Sequence, residues 1–224
     1  MPRGPKKRLG RPPATDSEET RRRIIETAQE CFGQLGYEKA TNNDIADRIG
    51  LTSGSIYHHF GAKSELYLVV CDHAATLILE RLEKATAVKA GFVDKLIAVL
   101  DAAIELNREQ PSLSHFLVNA SSDARRYPEL APGVEHCMGG IAGFLARLVE
   151  EGTASGEISP GTSPESVVGL MQALVLGLGQ FATMAPLELH TAVMVECERM
   201  IAGTLFRAPA AVKAAGGKRR AVNN

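Results

Sequence analysis

The stretch LTSGSIYHHFGAK at residues 51–63 sets two histidines, a tyrosine, small hydroxyl residues and a lysine side by side. Those side chains could hold a metal, move a proton or bind a polyanion. Metal is a poor fit: neighbouring side chains on a helix do not face each other, and no Cys, Asp or Glu stands four residues after His58 or His59 to complete a ligand set. Catalysis fares no better, because the chain has no phosphate loop, no GxSxG and no paired carboxylates beside a histidine. No enzyme activity, cofactor or metal is therefore expected. The four cysteines, Cys31, Cys71, Cys137 and Cys197, are widely spaced without a CxxC and read as small buried apolar residues.

What remains is a contact surface. Residues 42 to 61 have the spacing of two short helices joined by a turn at Gly50, with Ile45, Ile49, Leu51, Ile56 and Phe60 available to pack inward. Gly50 takes a positive φ cheaply, and Ala46 lets the two helices approach. With Ile56 and Phe60 inward, the other side of the second helix of this pair shows Ser53, Gly54, Ser55, Tyr57 and His58. Hydroxyls, a phenol and an imidazole can hydrogen-bond phosphates and base edges from within a major groove. Gly54 allows close backbone approach, the helix N-terminus offers peptide N–H groups to a phosphate, and Lys63 adds a positive charge one turn later.

Those residues need a scaffold, and apolar periodicity predicts an all-α one. Asp16 or Ser17 caps a first helix whose inward face is Ile24, Ala28, Cys31, Phe32 and Leu35, ended by Gly36. Thr41 or Asn42 caps the next, Ser53 to His59 form the third, and Lys63 to Thr86 a long fourth. Further helices are predicted near 92–109, 111–124, 133–151, 164–184 and 187–207. Pro111, Pro164 and Pro186 suit first helical positions, and Ser163 suits a cap. No segment alternates with period two for long enough to form a strand, and no internal repeat is visible.

Charge is unevenly distributed. Residues 1–15 carry Arg3, Lys6, Lys7, Arg8 and Arg11 with no acid, and the last twelve residues carry Lys213, Lys218, Arg219 and Arg220 with none. Residues 66–208 hold ten basic against seventeen acidic side chains. This pattern points to a polyanion partner at the amino-terminal end. Both ends, 1–15 and 209–224, have the composition of disordered segments. No run of 18 uninterrupted apolar residues and no signal-peptide core is present, so a soluble cytoplasmic protein without a membrane partner is expected.

From TRRRIIETAQECFGQLGYEKAT through NNDIADRIGLTSGSIYHHFGAKSEL, the chain resembles the DNA-binding domain of the TetR family of transcriptional regulators. Ile25, Ala28, Phe32, Gly36, Tyr37, Thr41, Ile45, Ala46, Gly50, Gly54, Tyr57, His59, Phe60, Lys63 and Leu66 carry the likeness. The resemblance implies DNA contacts from Thr41, Asn43, Thr52, Ser53, Ser55, Tyr57 and His58, with Lys63 on a phosphate. Family members often have arginine where Asn43 stands and lysine where Ser53 stands, so two charge contacts are missing. The arm can replace some of what is missing: KKR followed by GRPP resembles part of an AT-hook, although Leu9 departs from that pattern. Lys7, Arg8 and Arg11 would then lie in a minor groove, the alternative being a merely solvated tail.

In the remainder, Gly169, Ala173, Gly177 and Phe181 recur at steps of four, a stripe that lets another helix approach closely. The resemblance assigns that stripe to a homodimer interface. For a small, apolar or aromatic effector, the candidates are His115, Phe116, Asn119, His136, Phe144, Gln172 and Gln180, with Met138 nearby. The expected organisation is a basic arm (1–15), a helix-turn-helix domain (16–66), a helical ligand-binding and dimerisation domain (67–208) and a basic tail (209–224). The expected function is a repressor that leaves operator DNA when its effector binds. The competing reading is a helical ligand-binding protein or enzyme that keeps the fold without binding DNA.

Overall fold

A computed structural model describes residues 14–206, with side chains from residue 17 onward. The arm cations Lys7, Arg8 and Arg11 and the 209–224 tail lie outside the described residues. Within them the regular elements are all helices: α1 Ala14–Lys39, α2 Asn42–Ile49, α3 Ser53–Phe60, α4 Lys63–Thr86, α5 Phe92–Glu109, α6 Pro111–Arg126, α7 Ala131–Ala154, α8 Pro164–Ala182 and α9 Leu187–Ile201. The all-α expectation holds. Helix α1 starts before Asp16 and Ser17, which fall in its first turn instead of capping it. Pro186 is the residue before α9 rather than its first, with ψ at 149°.

Helix α1 buries Ile24, Ala28, Cys31 and Phe32 completely, but Leu35 is left 39 % exposed. The cause is the next residue. Gly36 takes φ 74° and ψ 168°, which breaks the helical rotation, and Tyr37 swings into the core in place of Leu35. Tyr37 then joins Phe32, Tyr67, Phe116 and Tyr127 in a cluster of edge-to-face and tilted rings with centroids 4.8 to 6.3 Å apart.

One hydrophobic core contains Ile45, Ile56 and Phe60 from the helix-turn-helix, Leu66, Tyr67 and Val70 from α4, and Leu113 and Phe116 from α6. The boundary expected between 66 and 67 therefore lies inside α4, at two fully buried residues of a continuous core. A second core, around Leu82, Val99, Phe144, Leu148 and Met171, sits at the far end of α4. Cys71 and Cys137 face each other across α4 and α7, and burial pushes both thiols above the ordinary range.

Helix α6 lies along α1 and is fastened at several heights. Gln29 donates to Ser112 Oγ at 3.1 Å, and Asn119 donates to the Phe32 and Gly33 carbonyls at 3.3 and 2.9 Å. Asp123 accepts from the Tyr37 backbone N–H at 3.1 Å and the Tyr67 hydroxyl at 2.9 Å. Arg126 pairs with Glu38 at 3.5 Å. The close approach depends on Gly33: a Cβ there would stand 3.0 Å from the Ser112 carbonyl oxygen and 3.2 Å from the Phe116 nitrogen, both backbone atoms. Gly33→Ala should therefore destabilise the protein. The helix-propensity gain of about 1 kcal/mol is outweighed by an overpacking cost of about 1 to 3 kcal/mol. A urea midpoint equal to or above that of the unaltered protein would show that the two backbones can separate freely.

Candidate nucleic-acid interface

Local hydrogen bonding fixes the α2–α3 unit. The Thr41 hydroxyl accepts from the Asp44 N–H at 3.1 Å, while the Asp44 carboxylate accepts from the Thr41 hydroxyl at 2.6 Å and the Thr41 N–H at 2.9 Å. This reciprocal cap starts α2, and the donated hydroxyl and N–H hold the Asp44 carboxyl below its usual pKa. At the other end Gly50 has φ 68°, so that the Leu51 N–H reaches back to the Ala46 carbonyl at 2.9 Å. Thr52 then caps α3 through Ser55 N–H at 3.2 Å. Ile56 and Phe60 turn into the core.

The opposite side of α3 is open. Tyr57 is 66 % exposed; His58, Gly54 and Thr52 are exposed, Ser53 and Ser55 half-buried, and Asn43 exposed near the start of α2. Thr41 and Thr52 serve first as helix caps. The rings of His58 and His59 diverge, with centroids 5.8 Å apart and planes at 85°. An eight-residue helix with polar side chains on its outer side, mounted on an adjacent helix through a glycine turn, presents hydrogen-bonding groups without a wall around them. That arrangement suits a groove of nucleic acid and lacks the enclosure a catalytic pocket needs.

Lys63, expected on a phosphate, is engaged inside the protein. Its ammonium donates to the carbonyls of Tyr37, Ala40 and Glu38 at 2.7, 3.2 and 3.3 Å and stands 4.4 Å from the centre of the Tyr37 ring. An ammonium has three protons, and here three carbonyls take them. Sequence reading missed this because the carbonyls become available only where α1 breaks, 23 to 26 residues upstream.

The expected effector residues do not converge. Phe116 is a fully buried core ring, Asn119 is bonded to the α1 backbone, and His115 and His136 are exposed. Gln180 is exposed on α8, its amide reaching Thr183 Oγ1 at 3.4 Å; Gln172 is half-buried, and Met138 packs against the first core. Phe144 instead lines, with Leu148, a cleft of about 230 Å³ between α4, α5 and α7. Two ion pairs edge that cleft: Arg147 with Glu83 at 3.3 Å, and Lys95 with Glu151.

On α8, Gly169, Ala173 and Gly177 are exposed, and a Cβ on either glycine would meet nothing within 4 Å. The open face continues through Leu170, Leu176 and Met184, which are 69 %, 61 % and 71 % exposed, while Phe181 turns partly inward. By length and composition α8 could cross a membrane, though Ser166, Gln172 and Gln180 interrupt its apolar sequence.

Residues 24–70 match the family described as bacterial regulatory proteins, tetR family. HTH-type transcriptional regulator UidR of Escherichia coli (strain K12) is 25 % identical over 164 residues, 73 % of this chain and 82 % of that protein. The crystal structure of a TetR transcriptional regulator from Chloroflexus aurantiacus J-10-FL is 29 % identical, with a TM-score of 0.71 over 84 % of this chain and 95 % of that one. FadR from Bacillus subtilis, solved in complex with stearoyl-CoA, is similar in fold at a TM-score of 0.72 and 20 % identity, covering 83 % of this chain and 100 % of that one.

The Lys63 geometry separates two roles by experiment. Lys63→Met keeps the aliphatic stem and removes the donors, so it should lower stability by about 1.5 to 3 kcal/mol, the range for hydrogen bonds to a charged group. The salt dependence of DNA binding should stay as it was. A shallower dependence at unchanged urea midpoint would return Lys63 to a phosphate.

Proposed function

Since the chain belongs to the TetR family of bacterial transcriptional regulators, we propose that it is a cytoplasmic repressor. It binds operator DNA through α2 and α3 as a homodimer and leaves the operator when a small, apolar or aromatic effector binds the larger helical region. The observation that carries this reading is the exposed polar side of α3 behind the Gly50 turn. Thr41, Asn43, Thr52, Ser53, Gly54, Ser55, Tyr57 and His58 form the contact set, with Tyr57 and His58 the most outward of the large side chains. Lys7, Arg8 and Arg11 add minor-groove contacts.

The dimer reading rests on α8 and α9. Gly169, Leu170, Ala173, Leu176, Gly177 and Met184 make an apolar face with little of the described residues over it, and α9 also exposes Leu189, Val195 and Met200. Large apolar patches on a soluble protein mark an interface, and two glycines without neighbours let a second backbone come close. A helix-turn-helix dimer reads two half-sites about 34 Å apart.

For the effector, support comes from FadR with stearoyl-CoA and from the cleft whose floor is Phe144 and Leu148. That cleft borders α4, which starts three residues after α3 ends. An effector that favours one tilt of α4 would change the separation of the two copies of α3, through its differential affinity for the two states. The fastening of α6 along α1 gives the same movement a second route.

Two measurements test the reading. Tyr57→Phe removes one exposed hydroxyl and leaves Ile56 and Phe60 in place. Affinity for duplex DNA from the region upstream of its own coding sequence should fall by a factor of about 10 to 100, with thermal stability unchanged, as for one hydrogen bond to a charged group. Equal gel-shift titrations would remove Tyr57 from the contact set. A Cβ at Gly177 meets nothing within 4 Å among the described residues, so an effect of Gly177→Leu on assembly points to a partner. Sedimentation should find the variant monomeric or much more weakly associated in detergent-free buffer, whereas an unaltered dimer would move the interface off this stripe.

A further inference from the structure

Arg21, on the first turns of α1, is not among the contacts assigned above, and its surroundings differ from those of its neighbours. Arg22 is clamped between Glu19 and Glu26, with both contacts at 2.7 Å. Arg23 donates to the Ile49 carbonyl at 3.3 Å, and Arg48 to the Gln34 amide oxygen at 3.1 Å. Lys63 is engaged by three carbonyls. Arg21 is exposed and has no acidic partner among the described residues; its guanidinium carbon stands 5.1 Å from the centre of the Phe60 ring.

That ring belongs to the last residue of α3. Phe60 is three residues after Tyr57, so the two occupy neighbouring positions on the helix surface. Phe60 is buried at 8 % exposure, and the exposed Arg21 cation over its ring thus lies beside the outward side of α3. A guanidinium stacked on an aromatic face keeps its five N–H donors in its own plane, free for other acceptors, and stacking limits the rotamers it would lose on binding. Two parallel N–H groups are the geometry that takes a phosphodiester in bidentate fashion. The set Thr41, Asn43, Thr52, Ser53, Gly54, Ser55 and Tyr57 brings no fixed positive charge to a polyanion.

The geometry points to Arg21 as a phosphate anchor of the DNA complex, pre-oriented by Phe60 at the C-terminal flank of the recognition helix. This rests on the DNA-binding reading of α3 and adds to it a residue, a ligand group and a side of the groove. Arg21 acts on affinity and its salt dependence, leaving the choice of base sequence to α3.

The test uses the full chain and a duplex that the unaltered protein enriches from a random library, titrated by fluorescence anisotropy at several KCl concentrations. Failure of the unaltered protein to enrich any duplex would count against the DNA-binding reading and, with it, the anchor. Given an enriched duplex, Arg21→Ala should weaken binding by a factor of about 10 at low salt. It should also make the slope of log affinity against log salt shallower by about 0.9 for each anchor lost, about 1.8 for a dimer. The melting temperature and the enriched sequence should stay the same. Arg21→Lys should keep the slope and recover only part of the affinity, because an ammonium lacks the planar fork. An unchanged slope for Arg21→Ala, or an affinity loss that merely follows a lower melting temperature, overturns the assignment. Full affinity in Arg21→Lys removes the role given to Phe60.

Discussion

Where α1 breaks at Gly36, the carbonyls of Tyr37, Glu38 and Ala40 lose the helical donors that a continuing turn would have supplied, and the ammonium of Lys63 takes all three. A helix end without partners is expensive to bury, so this contact decides where α4 can begin. Four elements meet here. Helix α1 ends, the Thr41 cap starts α2 one residue after Ala40, α4 supplies the lysine, and α6 supplies Asp123 to the N–H of Tyr37. The tyrosine ring beneath the ammonium adds a cation–π contact and is wedged against Tyr67 and Tyr127. The recognition helix is therefore positioned from behind by a hydrogen-bonded corner, and its outward side chains stay uncommitted.

This corner changes how a signal from the larger helical region would reach α3. A lever made of α4 alone would need a soft joint at its N-terminus, yet Leu66, Tyr67, Val70 and Cys71 are fully buried in the core that holds Ile56 and Phe60. Helix α6 meanwhile grips α1 from Gln29 to Glu38 by hydrogen bonds, an ion pair and the Gly33 backbone approach. The first three helices, the start of α4 and α6 can thus move as one body. The far half of α4 lies outside that body, in the second core and beside the Phe144 cleft. An effector bound there, as proposed, would act on that body as a unit.

Local chemistry made most of the elements legible in the sequence. Caps at Thr41 and Ser163, proline at the starts of α6 and α8, and glycine at 36 and 50 each act within a few residues of themselves, and the helices they mark start within a turn of where those signals put them, whereas α9, expected to reach 207, ends at Ile201. Polar side chains whose partners are remote were not legible. Lys63, Asn119 and Asp123 are 23 to 87 residues from the groups they bond, and nothing in their own neighbourhood marks them. The α8 stripe shows a third case. Steps of four advance about 40° per step around a helix of 3.6 residues per turn. Gly169, Ala173 and Gly177 therefore stay together while Phe181 rotates inward, and the open face passes to Met184.

A reading face built mostly of neutral hydrogen-bonding groups has a thermodynamic consequence. Hydroxyls, an amide and a phenol distinguish bases by matching donors to acceptors, and a mismatch leaves such a group unpaired. They contribute little to the counterion release that dominates non-specific binding. In this chain the arm's five cations in the sequence and Arg21 beside α3 add positive charge at the margins of that face. The body between 66 and 208, with seventeen acids against ten bases, repels the same phosphates. If the arm and α3 meet DNA as proposed, this asymmetry would favour approach by the amino-terminal end. Holding and reading are then physically separate: added salt weakens the holding groups first, and the match between α3 and the base edges sets which sequence keeps the protein longest.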